Sequence, residues 1–155
     1  MEMVMLSPNI DTAMAYEINL GLQNVIEGTA CPEDAFVEQA EKFILEPAEL
    51  LEVSAEYHLL KFPYSFEPGI YFLFQDERMV YVGKASSLEQ RLRQHYQTKK
   101  FNRVTYLTGI PPLFLEEVEA FYIHAATPDF NLSYPPKSRV CKAMLGMIQR
   151  ESDKI

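Results

Sequence analysis

Two helical stretches in this sequence place polar, reactive side chains on faces that should otherwise be apolar. After Ser86-Ser87, which offers an N-cap with Glu89 in the first turn, a helix running to about Tyr96 is expected. At about 100° per residue, Leu88, Arg91, Leu92 and His95 fall in one arc and Arg93 points nearly the other way. Arg91 and His95 therefore share the face that leucines turn inward. Long cations are seldom buried without a partner or a purpose. The plain alternative is that the Arg91 stem runs past the leucines with its head in water, and that His95 is a hydrogen-bonded core residue. In Leu113–Ala126, Glu117, Ala120 and His124 form the least apolar side, and Glu119 lies about 160° from Glu117. A carboxylate there must find a partner, be neutralised or hold a metal; the plain alternative is a buried salt bridge, for instance to Arg91. Such groups can stabilise an anion, accept a proton near neutrality and bind a hard cation.

Other elements must position these two helices. Gly69–Phe74 is a short aromatic and β-branched run suited to a buried strand. A polar turn, Gln75-Asp76-Glu77-Arg78, leads to a second strand at Met79–Val82, closing an antiparallel hairpin. Val104–Leu107 is a third strand, Gly109-Ile110-Pro111-Pro112 a turn, and Val140, Met144, Met147 and Ile148 mark a closing helix after Pro135-Pro136. The expected fold is therefore α/β (α+β), a small three-stranded antiparallel sheet flanked by helices. Upstream, helices are expected at Asp11–Ile26, after Cys31-Pro32, and at Ala48–His58, with Phe62–Pro68 as a linker. The chain divides into an acidic, mainly helical extension (1–66), a central domain (67–134) and a C-terminal helix packing on it (135–155).

Composition bounds the possibilities. The chain has 155 residues, 48% of them hydrophobic, which suits one globular domain. No apolar run approaches the ~20 residues of a membrane span, and no secretory leader pattern is visible. Two cysteines, Cys31 and Cys141, make neither a disulfide framework nor a zinc set, so a cytoplasmic location is expected. The net charge of -8 argues against nucleic acid, but it is an average. Residues 1–67 carry thirteen acids against Lys42 and Lys61, a balance of -11, whereas residues 68–155 carry nine acids and twelve bases, a balance of +3. Between 84 and 103, Lys84, Arg91, Arg93, Lys99, Lys100 and Arg103 stand against Glu89 alone. The plain reading of each charge run is a solvated face.

Gly69-Ile70-Tyr71, then nine residues, then Tyr81-Val82-Gly83 resembles the two signatures of the GIY-YIG nuclease superfamily. Arg91, eight residues beyond Gly83, falls where the family has its arginine, and His95 where many members have a histidine. Glu119 fits the metal-binding glutamate of the family's late helix, and Pro128-Asp129-Phe130-Asn131 fits its closing asparagine motif. Tyr81–Leu92, with Lys84 after the glycine, is similar to the N-terminal nuclease domain of the bacterial excision-repair endonuclease; His95 is similar to the intron-homing and restriction branches. The resemblance covers about residues 67–132.

This resemblance implies a metal-dependent endonuclease acting on DNA, with catalytic residues Tyr71, Tyr81, Lys84, Arg91, His95 and Glu119. Glu119 would hold one Mg²⁺ (or Mn²⁺), which needs only one or two carboxylates, and Arg91 would offer a planar fork to the scissile phosphate. Tyr71 or His95 would be the general base; an ordinary tyrosine pKa of ~10 would have to fall. Gly69, Gly83 and Asn131 would be structural, and Lys84, Arg91, Lys99, Lys100 and Arg103 would follow the DNA backbone. No base-reading module is visible, so structure-selective or weakly sequence-specific cleavage is expected, and no membrane partner. Two alternatives stand beside it: a non-cleaving nucleic-acid-binding or adaptor module, and an acidic N-terminal region that docks a protein partner, covers the basic cleft or simply buttresses the fold.

Overall fold

Aromatic and β-branched residues dominate the centre of the chain and build its sheet. A computed structural model of the protein describes residues 17–22, 30–57, 68–86 and 88–153. Strand β3 (Gly69–Gln75) turns at Asp76 and pairs antiparallel with β4 (Arg78–Ala85). Its other edge pairs antiparallel with β5 (Arg103–Thr108). Helix α3 (Leu88–Thr98) links β4 to β5; a 3₁₀ turn (Pro112–Phe114), α4 (Leu115–Ala126) and α5 (Arg139–Asp153) follow. Thr127 closes α4 in the left-handed conformation just before Pro128, which cannot continue a helix.

The sheet has five strands, not the three expected. Strand β1 (Glu17–Asn19) pairs parallel with β5 at Tyr106–Thr108, and β2 (Ala55–Glu56) pairs antiparallel with it at Arg103–Val104. The order is β1-β5-β3-β4, with β2 beside β1 along the same edge of β5. Without them that edge would expose a row of unpaired backbone groups on an otherwise buried strand. Residues 17–22 are thus extended rather than helical: Ile18, Leu20 and Leu22 are buried, whereas Asn19 and Gly21 are exposed. The rest of the helix expected over Asp11–Ile26 lies outside the described residues. The helix expected over Ala48–His58 also shortens. Helix α2 (Pro47–Glu52) opens on a reciprocal Glu46–Glu49 capping box and stops before β2. His58 and most of the expected linker lie outside the described residues.

The two faces of the sheet carry different cores. Ile70, Phe72, Phe74, Val82 and Leu107 pack on α1 (Pro32–Phe43), α4 and α5, with Phe36, Phe121, Tyr122 and Met144 at the centre. On the opposite face Tyr71, Leu73, Val104 and Tyr106 pack under α3, around Leu92 and Phe101. The register slips between Leu73 and Phe74, so that Leu73 faces Tyr81 and Phe74 faces Met79. The bulge leaves Val80 over and puts Tyr81 on the same face as Tyr71. Strand β4 is the last strand of the sheet; α4 packs on it from one face, and His95 of α3 meets its Tyr81 from the other.

Candidate active site

Residues directly opposite in an antiparallel pair share a face, and Tyr71 is opposite Gly83. Gly83 has no side chain, so the Tyr71 ring lies across it: a Cβ there would strike the Tyr71 ring and hydroxyl. The other signature glycine does the same for Tyr106. A Cβ on Gly69 would come within 2.5 Å of that ring and of the Leu107 carbonyl. Neither glycine is needed for a left-handed backbone; both make room for tyrosines.

Tyr71, 1% exposed, meets His95 of α3 through a hydroxyl–Nε2 hydrogen bond of 2.7 Å. Tyr81 completes the group, with ring centroids 6.0 Å from Tyr71 and 4.8 Å from His95. The Lys99 ammonium stands 5.0 Å from the centre of the Tyr81 ring, within cation–π range. Burial raises Tyr71 far above an ordinary tyrosine, and the neighbouring Tyr81 adds to it while Arg91 opposes it. Burial also raises Tyr81, helped by Glu119. Burial lowers His95 to about 4, with Lys99 and Arg91 reinforcing the shift. At neutral pH the imidazole is therefore uncharged. With its proton on Nδ1, it accepts the Tyr71 hydroxyl proton at Nε2.

Glu119 approaches from α4, half-buried. Its burial raises the carboxyl above the usual value, opposed by the Lys84 charge and main-chain N–H and reinforced by Glu116. Arg91 is exposed, so its head does not share the buried position of Leu92 and His95. Arg93 is exposed as well; what distinguishes Arg91 is that its charge acts on Tyr71, Tyr81 and His95 together. Beside it a cleft of about 250 Å³ runs along Ala85, Ser86, Gln90 and Gln94. The salt bridge between Glu119 and Arg91 entertained from sequence is not formed.

Lys84 is engaged differently from the expectation. Its ammonium pairs with Glu116 at 2.7 Å, which lowers the Glu116 carboxyl. Glu116 lies one turn before Glu119 in the sequence, and nothing local points to its partner on β4. Among the cations expected along DNA, Lys99 stands at the tyrosines and Lys100 is exposed. Arg103 serves the fold: its guanidinium binds the Ser54 hydroxyl at 2.7 Å and the Ser54 carbonyl, and lies 3.9 Å from Glu56. Asn131 bonds both backbone groups of Val82, each at 3.0 Å, and Phe130 donates its N–H to the Val80 carbonyl. This covers the edge of β4 just where the tyrosines sit.

Among the described residues, no three His, Cys, Asp or Glu side chains gather around a common point for a metal. Glu119, a half-buried carboxylate beside Lys84, is the group that could hold a hard cation that keeps most of its waters.

Residues 67–110 match a family described as the UvrC-like GIY-YIG domain. This part of the chain is a GIY-YIG nuclease superfamily domain. The match contains Tyr71, Tyr81, Lys84, Arg91 and His95 and ends before Glu119 and Asn131. No curated protein and no solved structure is significantly similar to the chain.

Proposed function

We propose that the protein is a metal-dependent endonuclease that hydrolyses DNA phosphodiester bonds at the Tyr71–His95 pair, with structure-selective or weak sequence preference. GIY-YIG domains generally bind DNA, and their nucleases typically use a divalent ion. The observation that carries the proposal is the 2.7 Å bond between a buried tyrosine and an uncharged histidine, under the charges of Arg91 and Glu119.

The two shifted groups solve each other's difficulty. A free Tyr71 phenolate is out of reach at neutral pH, and a histidine near 4 is a weak base alone. As Tyr71 Oη takes a proton from the attacking water, its own proton passes to His95 Nε2. No isolated phenolate forms, and the imidazole leaves the step protonated. Arg91 faces the phosphate and stabilises the added negative charge of the transition state. Lys84 exchanges Glu116 for a phosphate oxygen. Glu119 would hold one Mg²⁺ or Mn²⁺, which when bound supplies Lewis acidity and steadies the departing 3′ oxygen.

Nicking of supercoiled plasmid tests this. Cleavage is expected with magnesium, none with chelator, and losses of 100-fold or more (on the order of a lost electrostatic or proton-transfer group) in Glu119→Ala, Arg91→Ala and Tyr71→Phe. DNA binding without cleavage, equal in the wild type and Glu119→Ala, would instead favour an adaptor.

A further inference from the structure

We propose that Tyr96, backed by Tyr57, is a platform on which an unpaired DNA base stacks, giving the active site its substrate class: DNA with a base already free of the duplex. The inference rests on the nuclease reading above and extends it.

Tyr96 follows His95 on α3 yet is 55% exposed. Its ring is nonetheless fixed. It stacks on Tyr57 with centroids 4.6 Å apart and planes 26° apart, and meets buried Phe101 edge-on at 5.6 Å and 84°. Phe101 in turn sets Tyr57 edge-on at 5.3 Å. A purely structural cluster would draw Tyr96 under cover; here Phe101 is buried, Tyr57 half-buried, and the outermost ring is left in water. A rigid exposed ring is what base stacking requires, because every base has a π-face and little side-chain freedom is lost.

The charges beside the ring suit a nucleic-acid strand. Lys99 and Lys100 follow at the end of α3, and the Lys99 ammonium reaches back over Tyr81. Cations beside aromatic faces are the combination that binds single strands without reading sequence. From Arg91 to Tyr96 the helix advances about 7.5 Å and turns about 140°, so the two side chains leave α3 on different sides. A base resting on Tyr96 would thus belong to a nucleotide several steps from the phosphate at Arg91, on a strand that curves around α3. A continuous duplex would have to unstack that base first, whereas a bulge, mismatch or branch offers it free.

The test uses the full chain in chelator, so that nothing is cut. One probe is a duplex with a single bulged 2-aminopurine; the other is the same duplex fully paired. Anisotropy should show about tenfold tighter binding of the bulged probe, and 2-aminopurine emission should be quenched on binding. Tyr96→Phe should keep both effects. Tyr96→Ala should lose both while binding the paired duplex within about twofold of wild type. A wild type that binds both probes alike, or a Tyr96→Ala protein that keeps the preference and the quenching, overturns the platform. Plasmid nicking with magnesium is scored separately: a wild type that prefers and quenches the bulge but never nicks leaves the platform standing and removes the nuclease reading.

Discussion

At the scale of single residues, the site depends on small groups holding large ones in unusual states. The His95 imidazole is uncharged because it is 8% exposed and faces Lys99 and Arg91, with Tyr71 and Tyr81 as its ring neighbours. Its folded value of about 4 lies below the unfolded 6.5, so between these values the unfolded chain binds more protons. Stability contributed by this residue is therefore present above pH 6.5 and is lost progressively as pH falls toward 4, by at most about 3 kcal/mol. Urea unfolding at pH 7, 5.5 and 4.5 checks this, since His95→Gln should lose less stability than wild type over that range; parallel curves would contradict it. Gly83 gives a second expectation. Gly83→Ala puts a methyl against the Tyr71 ring, which has nowhere buried to go. Overpacking of about 1–3 kcal/mol should appear as a lowered urea midpoint. Cleavage should fall far more than that loss explains, because Tyr71 must leave His95. Unaltered cleavage would mean that the ring is not held for chemistry.

At the scale of elements, the site stands on an edge strand that the chain itself must close. Asn131 answers both outward backbone groups of Val82, while Arg78 pairs with Asp129 at 2.6 Å, pinning the segment after α4 alongside β4. Asn131→Ala removes both bonds and should cost about 1–3 kcal/mol. It also uncovers a strand edge, so concentration-dependent association is expected in sedimentation velocity. Asn131→Asp keeps the acceptor for the Val82 N–H but opposes the Val82 carbonyl, so it should not restore stability. A fully stable, monomeric Asn131→Ala would show that the edge needs no cover. The bulge in β4 works on the same scale: one extra residue turns Tyr81 to the side of Tyr71 and His95.

At the scale of the whole molecule, the N-terminal part, acidic on its outside, supplies apolar residues to the core. Ile18, Leu20, Leu22, Phe36, Phe43 and Leu50 are buried against the sheet, α4 and α5, and Asp34 of α1 pairs with Arg139 of α5. At about 1.5–3 kcal/mol per buried side chain, these six contribute on the order of 10 kcal/mol, comparable with the whole stability of a domain. A fragment beginning at residue 58 should therefore lose its cooperative thermal transition and aggregate. A folded fragment would reopen the idea that residues 1–57 form a detachable cover over the cleft. The acids of α1 and α2 meanwhile remain outward, at Glu33, Glu38, Glu41, Glu49 and Glu52. This reconciles the -8 overall with a basic stretch from Lys84 to Arg103: the buttress takes the acids and the α3 side takes the bases.

Local pattern was enough to find the hairpin, the third strand and the late helices, and it singled out Arg91, His95 and Glu119, whereas Tyr71 and Tyr81 came from the resemblance. Each lies in a segment whose periodicity, turns or spacing are written in consecutive residues. Pairing across distance was decided only by the tertiary structure. Strands β1 and β2, three and two residues long, are too short for a period, and only the free edge of β5 makes them strands. The alternation Ile18-Leu20-Leu22 competes with the four-residue spacing Met14, Ile18, Leu22 and Ile26, on which the helix expected over Asp11–Ile26 rests. Lys84 and Arg103 looked alike as cations beside a motif. One meets Glu116 across 32 residues and the other Ser54 across 49, and no local rule could assign those partners. Tyr57, Tyr96 and Phe101 were likewise scattered aromatics until folding stacked them. Residue type and spacing determined which groups were candidates for chemistry; their burial, and the neighbours they meet, came from packing alone.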